Sequence, residues 1–143
     1  MAEDYIKELT VEEKIVFLKI ICRLIKSDGS IDEDEIAFLK QTAEFFGVDN
    51  NAVLGVIQVA DSIDYVAEAK KITNRSHALQ LIKELCALAN VDNDLDDKEL
   101  DIIIDTAHAM NIEDEKIILI NRWVLDSQIV AQTGRIIMEE KNG

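Results

Sequence analysis

The chain has 143 residues, a hydrophobic fraction of 48% and a formal net charge of −14. This length suits one compact domain with a single core, and we predict one domain over residues 1–143. The negative charge disfavours contact with nucleic acid or an anionic membrane surface, so we expect cations or basic protein surfaces as partners, with solubility as the alternative explanation of the charge. With no proline and only five glycines, the composition favours helices over turn-rich folds. The predicted fold class is an all-α bundle.

The cysteines and the first residues bear on the compartment. Cys22 and Cys86 lie inside apolar stretches, where a thiol acts as a small hydrophobic side chain. Neither has a partner at zinc-ligand spacing. A disulfide between them is the alternative, but the acidic first residues do not resemble a secretory signal, which favours a reducing compartment. No apolar run reaches membrane-spanning length. We therefore predict a cytoplasmic protein without membrane insertion.

The first predicted helix begins after Thr10, because Thr10 and Glu13 have the spacing of a capping box, and it ends near Lys26. Its apolar residues recur at three- and four-residue steps, over so wide a face that this helix should be central to the bundle. Gly29 then provides the backbone freedom to reverse the chain.

Three shorter elements are predicted next. A second helix opens at Asp32 and stops at Gly47, which suits the left-handed conformation of a helix C-terminus. Asp49 caps a short third helix. A further helix is predicted around residues 65–69, in the stretch that connects the two halves of the chain.

The second half repeats this order. Thr73, Asn74 or Ser76 can cap a helix that mirrors the first. Residues 96–110 mirror the second helix, and Asn111 takes the place of the helix-ending glycine, because asparagine tolerates a left-handed conformation. The positions predicted to face inward on that helix are Leu100, Ile103, Ile104 and Ala107.

The final predicted helix runs from Glu113 to about Met138 and is apolar on more than one side. Such a helix either crosses the bundle or covers a second surface, in the same chain or in a partner subunit. We expect Trp123 to be a core or interface anchor and Gly134 to break or bend the helix. A homodimer through this helix is therefore a candidate assembly. Residues 139–143 are predicted to be a frayed tail.

An internal repeat organises the chain. Asp28 has its counterpart in Asp92, an offset of 64 residues (92 minus 28). The same offset relates Lys19 to Lys83 and the two cysteines to each other, outside the acidic motif. We predict two similar helix–acidic turn–helix units, over about 10–57 and 74–121. The candidate site residues in the two turns are Asp28, Asp32 and Glu35, and Asp92, Asp96 and Glu99.

The acidic turns resemble the second half of a calcium-binding EF-hand loop, in which oxygen ligands surround the ion. The first and third loop positions would fall on Leu24 and Lys26, which cannot ligate a cation, so neither turn is a complete loop. The symmetry of the repeat could bring two half-sites together. Because only oxygen donors are offered, the candidate cofactor is calcium, magnesium or manganese.

Helix capping is the alternative explanation for the same residues. Asp32 with Glu35, and Asp96 with Glu99, also have capping-box spacing, and acidic residues in a first helical turn interact favourably with the helix dipole. A carboxylate has enough lone pairs to accept a backbone N–H and to bind a metal, so the two roles are compatible.

Nothing in the sequence supports a catalytic mechanism. We expect His77 and His108 to have a surface or core-edge role rather than to be ligands. Ser127 and Thr133 lie in no nucleophile motif, and there is no glycine-rich phosphate loop. We therefore predict a non-enzymatic protein.

The paired Asp-Gly-x-Ile-x-x-x-Glu turns resemble those of the tellurite-resistance TerB-like family, over about residues 10–120, although Asn93 replaces the glycine of the second turn. The resemblance implies a bundle of about seven helices, a role in a cytoplasmic stress response, and divalent-metal binding by the six acidic residues named above. The predicted function is thus a cation-binding scaffold or sensor. The alternative is a protein-interaction or dimerisation module, in which the acidic turns only cap helices and the C-terminal helix binds a partner.

Overall fold

A computed structural model describes residues 4–26, 31–90 and 96–140. These residues form α-helices joined by short connections, with one 3₁₀ turn over Ala60–Ser62 and no strand within the described ranges. The all-α prediction is confirmed. The helices are α1 (Asp4–Glu8), α2 (Val11–Ile25), α3 (Glu33–Phe46), α4 (Asn50–Gln58), α5 (Tyr65–Ala69), α6 (Arg75–Ala89), α7 (Asp97–Ala109) and α8 (Asp114–Glu140).

Helices α2 and α6 form the centre of the bundle and pack against each other. Helix α2 also contacts α3, α4 and α5, whereas α6 also contacts α7 and α8. The buried residues of the described chain form one cluster. Helix α2 is central because its wide apolar face, predicted from the sequence, must be covered from several sides. The buried residues of α2 are Val16, Phe17, Leu18, Ile20, Ile21, Cys22 and Leu24.

Helix boundaries recur at the offset of 64 residues. Helix α2 spans 11–25 and α6 spans 75–89. Helices α3 and α7 begin at residues 33 and 97, and α4 and α8 at residues 50 and 114. The N-cap of α2 is Thr10, as predicted. The N-cap of α6 is Asn74, one of the three residues predicted for that position.

Both halves also end their second helix in the same way. Gly47 (φ 74°) and Asn111 (φ 61°) have left-handed backbones, as the sequence predicts. The next residues, Val48 and Ile112, donate their N–H groups back to Ala43 O (2.8 Å) and Ala107 O (2.9 Å). This pattern satisfies carbonyl groups that the end of a helix leaves unpaired.

A buried histidine joins the first turns of the central helices. His77 is 6% exposed, so it is core rather than surface. Its Nδ1 lies 2.9 Å from Glu13 Oε2 and its Nε2 lies 3.6 Å from Glu8 Oε2. Because a carboxylate only accepts hydrogen bonds, Nδ1 donates to Glu13. Burial by itself raises the pKa of the Glu13 carboxyl, but hydrogen bonds from Thr10 and His77 outweigh it and lower that pKa from 4.5.

The two cysteines are free and buried. Burial raises the pKa of Cys22 to about 11 and that of Cys86 to about 12. Both thiols therefore act as core side chains, and no disulfide joins them.

Several expectations about the second half are wrong. Leu100 is 37% exposed rather than inward, because it borders an open groove between α7 and α8. Trp123 is 56% exposed, so its core position is wrong, and the alternative role as an interface anchor stays a prediction. Helix α8 continues through Gly134 without a break and includes residues 139 and 140 of the predicted frayed tail. Helix α1 is an additional element that the sequence patterns do not indicate.

We predict that Gly47→Ala lowers the free energy of unfolding by about 1 kcal/mol, because a side chain disfavours the left-handed backbone. No atom lies within 4 Å of an added Cβ there, so the effect isolates backbone conformation. Urea denaturation measures it. Gly55→Ala, in α4 and equally uncrowded, is the matched control and should instead stabilise by about 0.5–1 kcal/mol. Equal effects of the two substitutions would contradict the conformational explanation.

A second prediction concerns the Glu13–His77 pair. Glu13→Gln keeps a capping side chain but removes the charge. Because the folded-state pKa of Glu13 is lowered, its charge stabilises the fold above about pH 4.5, and this contribution is lost as the pH falls through the folded-state value. The two chains should differ in unfolding free energy by about 1–2 kcal/mol at pH 7.

Urea unfolding at pH values from neutral to acidic checks this. The difference should shrink as the pH falls below 4.5, the ordinary value of the carboxyl. Glu12→Gln, an exposed position in the same turn, should change stability by less than about 0.5 kcal/mol. A pH-independent difference for Glu13→Gln would show that its charge does not matter.

Candidate functional site

The first acidic turn (residues 28–35) leads into α3 through a reciprocal capping box. Asp32 Oδ1 accepts the Glu35 N–H (2.8 Å), and Glu35 Oε1 accepts the Asp32 N–H (3.0 Å). Asp32 has an extended backbone (φ −88°, ψ 177°), as expected of an N-cap residue. The capping function predicted for this pair is confirmed. Asp28 and Gly29 lie outside the described residues.

The second acidic turn (residues 92–99) repeats this arrangement at α7. Asp96 Oδ1 accepts the Glu99 N–H (2.8 Å), and Glu99 Oε1 accepts the Asp96 N–H (3.4 Å). Each capping box uses one oxygen of the aspartate and one oxygen of the glutamate. Capping is therefore compatible with metal binding by the second oxygen of each carboxylate. Asp92 and Asn93 lie outside the described residues.

The direction of the central helices determines where the two turns lie. Glu13 and His77 join the first turns of α2 and α6. Farther along, Ile21 of α2 lines the same groove as Glu84 and Leu88 of α6. The two helices therefore run side by side in the same direction and end at the same end of the bundle. The last described residues before the two acidic turns, Lys26 and Asn90, therefore lie at that end.

The residues that precede the turns differ between the halves. Lys26 Nζ pairs with Asp61 Oδ1 (2.5 Å), so the cation repulsion expected from this lysine is offset by a neighbouring carboxylate. Its counterpart Asn90 is buried, and its side-chain nitrogen donates to Cys86 O and to Asn121 Oδ1, both at 2.8 Å. Asn90 therefore fixes the end of α6 against α8.

The donor chemistry of the acidic turns fits a hard divalent cation, because only oxygen atoms are offered. Among the residues that the structure describes, no three His, Cys, Asp or Glu side chains are grouped closely enough to hold a metal ion. The capped pairs Asp32–Glu35 and Asp96–Glu99 thus supply two carboxylates each. A complete site requires Asp28 or Asp92 as well.

Two apolar grooves are features that the sequence analysis does not identify. The α7–α8 groove has a volume of about 390 Å³. The α3–α6 groove, of about 310 Å³, lies between those two helices. The sequence does carry a signal for the α3–α6 groove, because Phe38 and Phe45 are seven residues apart and therefore lie on one side of α3. Both side chains are exposed in the structure. The α3–α6 groove is lined by Ile21, Phe38, Gln41, Thr42, Phe45, Phe46, Glu84 and Leu88.

The second histidine pairs with a carboxylate of α8. His108 Nε2 contacts Asp114 Oδ1 (2.5 Å), and both side chains are exposed, in agreement with the predicted surface position. Within the described ranges, the helices lack the length and apolarity needed to cross a bilayer.

These observations define an all-α helical bundle in which a carboxylate capping box starts each of the helices α3 and α7. A family model described as "Tellurite resistance protein TerB" matches residues 51–122, just over half of the chain, and the chain belongs to this family. The match includes the second acidic turn, whereas the first lies outside it; the resemblance is therefore shown over a shorter range than residues 10–120. No curated protein and no solved structure matches the chain in the corresponding comparisons.

Proposed function

We propose that the protein is a non-enzymatic scaffold or sensor that binds a divalent cation, namely calcium, magnesium or manganese, through its acidic turns. The candidate ligands are Asp28, Asp32 and Glu35 with Asp92, Asp96 and Glu99. The observation that supports this proposal is the common direction of α2 and α6, because the last described residues before the two turns, Lys26 and Asn90, lie at the same end of the bundle. The description of the family names tellurite resistance, and we propose a cytoplasmic stress response as the setting.

Charge supports the same function. Each described turn begins a helix with a pair of carboxylates, in a chain whose net charge is −14. Such carboxylates repel one another without a counter-ion, so a bound cation would stabilise the folded state by mass action. At a free cation concentration of 100 times Kd, the gain in unfolding free energy is about 2.7 kcal/mol.

Isothermal titration calorimetry with calcium and with manganese tests the cation site. We predict binding to the native chain and at least tenfold weaker binding to the double variant Asp32→Asn, Asp96→Asn. Asparagine caps a helix about as well as aspartate, so the variant loses charge and metal affinity but keeps both helix starts. The matched control is Asp49→Asn, which removes a capping carboxylate from α4. Absence of binding in the native chain, or equal binding in the double variant, would exclude the cation site.

A protein-interaction function through α8 is the second candidate, and a specific observation favours it. Every described residue from 129 to 139 is exposed, although five of them are large apolar side chains. Most helix stability in proteins comes from packing of an apolar face, so this part of α8 gains stability if a partner covers it. The exposed apolar residues are Ile129, Val130, Ile136, Ile137 and Met138.

Truncation after Gln128 tests this second candidate. Because residues 129–139 are exposed, we predict that the shortened chain unfolds within about 1 kcal/mol of the full chain. We also predict that it loses the association through α8, measured as solution mass by light scattering. Trp123→Ala changes the part of α8 that remains after truncation. Its effect on solution mass therefore distinguishes association through the region of Trp123 from association through residues 129–143. A truncated chain that associates like the full chain would rule out residues 129–143 as the interaction site.

A further inference from the structure

The internal repeat continues into the C-terminal half of α8. Helix α5 has the sequence Tyr-Val-Ala-Glu-Ala over residues 65–69, and residues 129–133 read Ile-Val-Ala-Gln-Thr at the same offset of 64. Beyond these five residues, Lys71 and Ile72 recur as Arg135 and Ile136. The C-terminal segment (residues 129–137) is therefore the sequence counterpart of α5 and the residues that follow it.

Helix α5 covers the space between α2 and α7, and it contacts both. The Tyr65 hydroxyl donates to Asp105 Oδ2 of α7 (3.0 Å), and Lys19 Nζ of α2 donates to Glu68 Oε1 (3.4 Å). Ala69 is completely buried. A short helix of this sequence thus has a defined position against one element from each half of the chain.

The repeat places the counterpart of this position in the α3–α6 groove. Gln41, which lines the groove, is the counterpart of Asp105, and Leu88 is the counterpart of the buried Leu24. Phe38 is 39% exposed in the groove, whereas its counterpart Ile102 is 5% exposed. The α3–α6 groove is therefore open, whereas the related surface between α2 and α7 is covered by α5.

The C-terminal segment does not occupy the groove of its own chain, because α8 remains one continuous helix. Gln128 Nε2 donates to Ala87 O (3.2 Å), and the described residues after it are exposed. The sequence explains the difference from α5. Asp64 caps α5, but its counterpart is Gln128, which is a poorer N-cap than aspartate. The signal that starts a separate helix is therefore missing in the second half.

We propose that the C-terminal segment of one copy docks in the α3–α6 groove of a second copy, in a reciprocal dimer. Ile129 and Val130 would contact the apolar lining, where Phe38 and Phe45 replace the smaller Ile102 and Ala109. Exchange of one element between two identical chains is a common route to dimers, because the required contacts already suit the sequence.

The polar positions agree with this occupant. Gln132 is the counterpart of Glu68, and Lys83 is the counterpart of Lys19, so docking places Gln132 near Lys83 in the same way as Glu68 lies near Lys19. Tyr65 and Asp105 share a hydrogen bond. Their counterparts Ile129 and Gln41 have neither the hydroxyl nor the accepting carboxylate. Both changes make the second pairing more apolar. The docking specifies the second candidate function, interaction through α8, and is independent of cation binding.

Complementary charge variants test the dimer. Ile129→Lys places a cation on the segment, and Phe45→Glu places an anion in the groove. The mass of the native chain should rise with concentration from 16.1 kDa towards twice that value, and each single variant should associate at least tenfold more weakly. An equimolar mixture of the two variants should form a heterodimer, in which one groove is native and the other holds a lysine–glutamate pair.

The matched controls are Leu119→Lys on α8 and Leu54→Glu on α4, at two other exposed apolar positions. Neither control should change the solution mass. Circular dichroism should show that all variants are folded. A native chain that stays monomeric overturns the proposal. Association that Ile129→Lys weakens but Phe45→Glu does not would leave interaction through α8 intact and overturn the groove as its binding site.

A cross-linking experiment distinguishes a second copy from the segment's own chain. The double variant Ile129→Cys, Phe45→Cys should give a covalent dimer on mild oxidation, since Cys22 and Cys86 are buried and do not compete. A cross-link formed only within one chain would overturn the assignment of the groove to a second copy.

Discussion

The side-by-side packing of α2 and α6 is the interaction on which the rest of the structure depends. Their apolar faces meet at the centre of the bundle, and Glu13 and His77 fix the starts of the two helices relative to each other. The shared direction has two consequences. It brings the ends of both central helices to the same end of the bundle, and it creates lateral surfaces on which the remaining helices lie.

Those lateral surfaces are filled unequally in the two halves. Helix α5 covers the surface between α2 and α7, whereas the α3–α6 groove is open and the related C-terminal segment extends away from the bundle. A difference at one helix-capping position, Asp64 against Gln128, accompanies this change. A duplicated sequence can thus form two different arrangements when a local signal is retained in one copy and lost in the other.

Local patterns predicted most of the helices and their ends, because capping depends on residues three or four positions apart. The boxes at Thr10, Asp32 and Asp96, and the left-handed turn at Asn111, are confirmed for this reason. The exposure of Trp123 was not predictable from periodicity, since an apolar helix has the same pattern whether its cover is present or absent. The candidate cation site stays a prediction, because Asp28 and Asp92 lie outside the described residues.

The core position of the two cysteines affects how the chain responds to oxidising chemistry. Thiolate is the form that electrophiles and oxidants attack, and the burial of Cys22 and Cys86 keeps both sulfur atoms protonated at neutral pH. In the folded state neither thiol is an accessible reductant. Only a chain that opens its centre would therefore present either cysteine thiol to an oxidant.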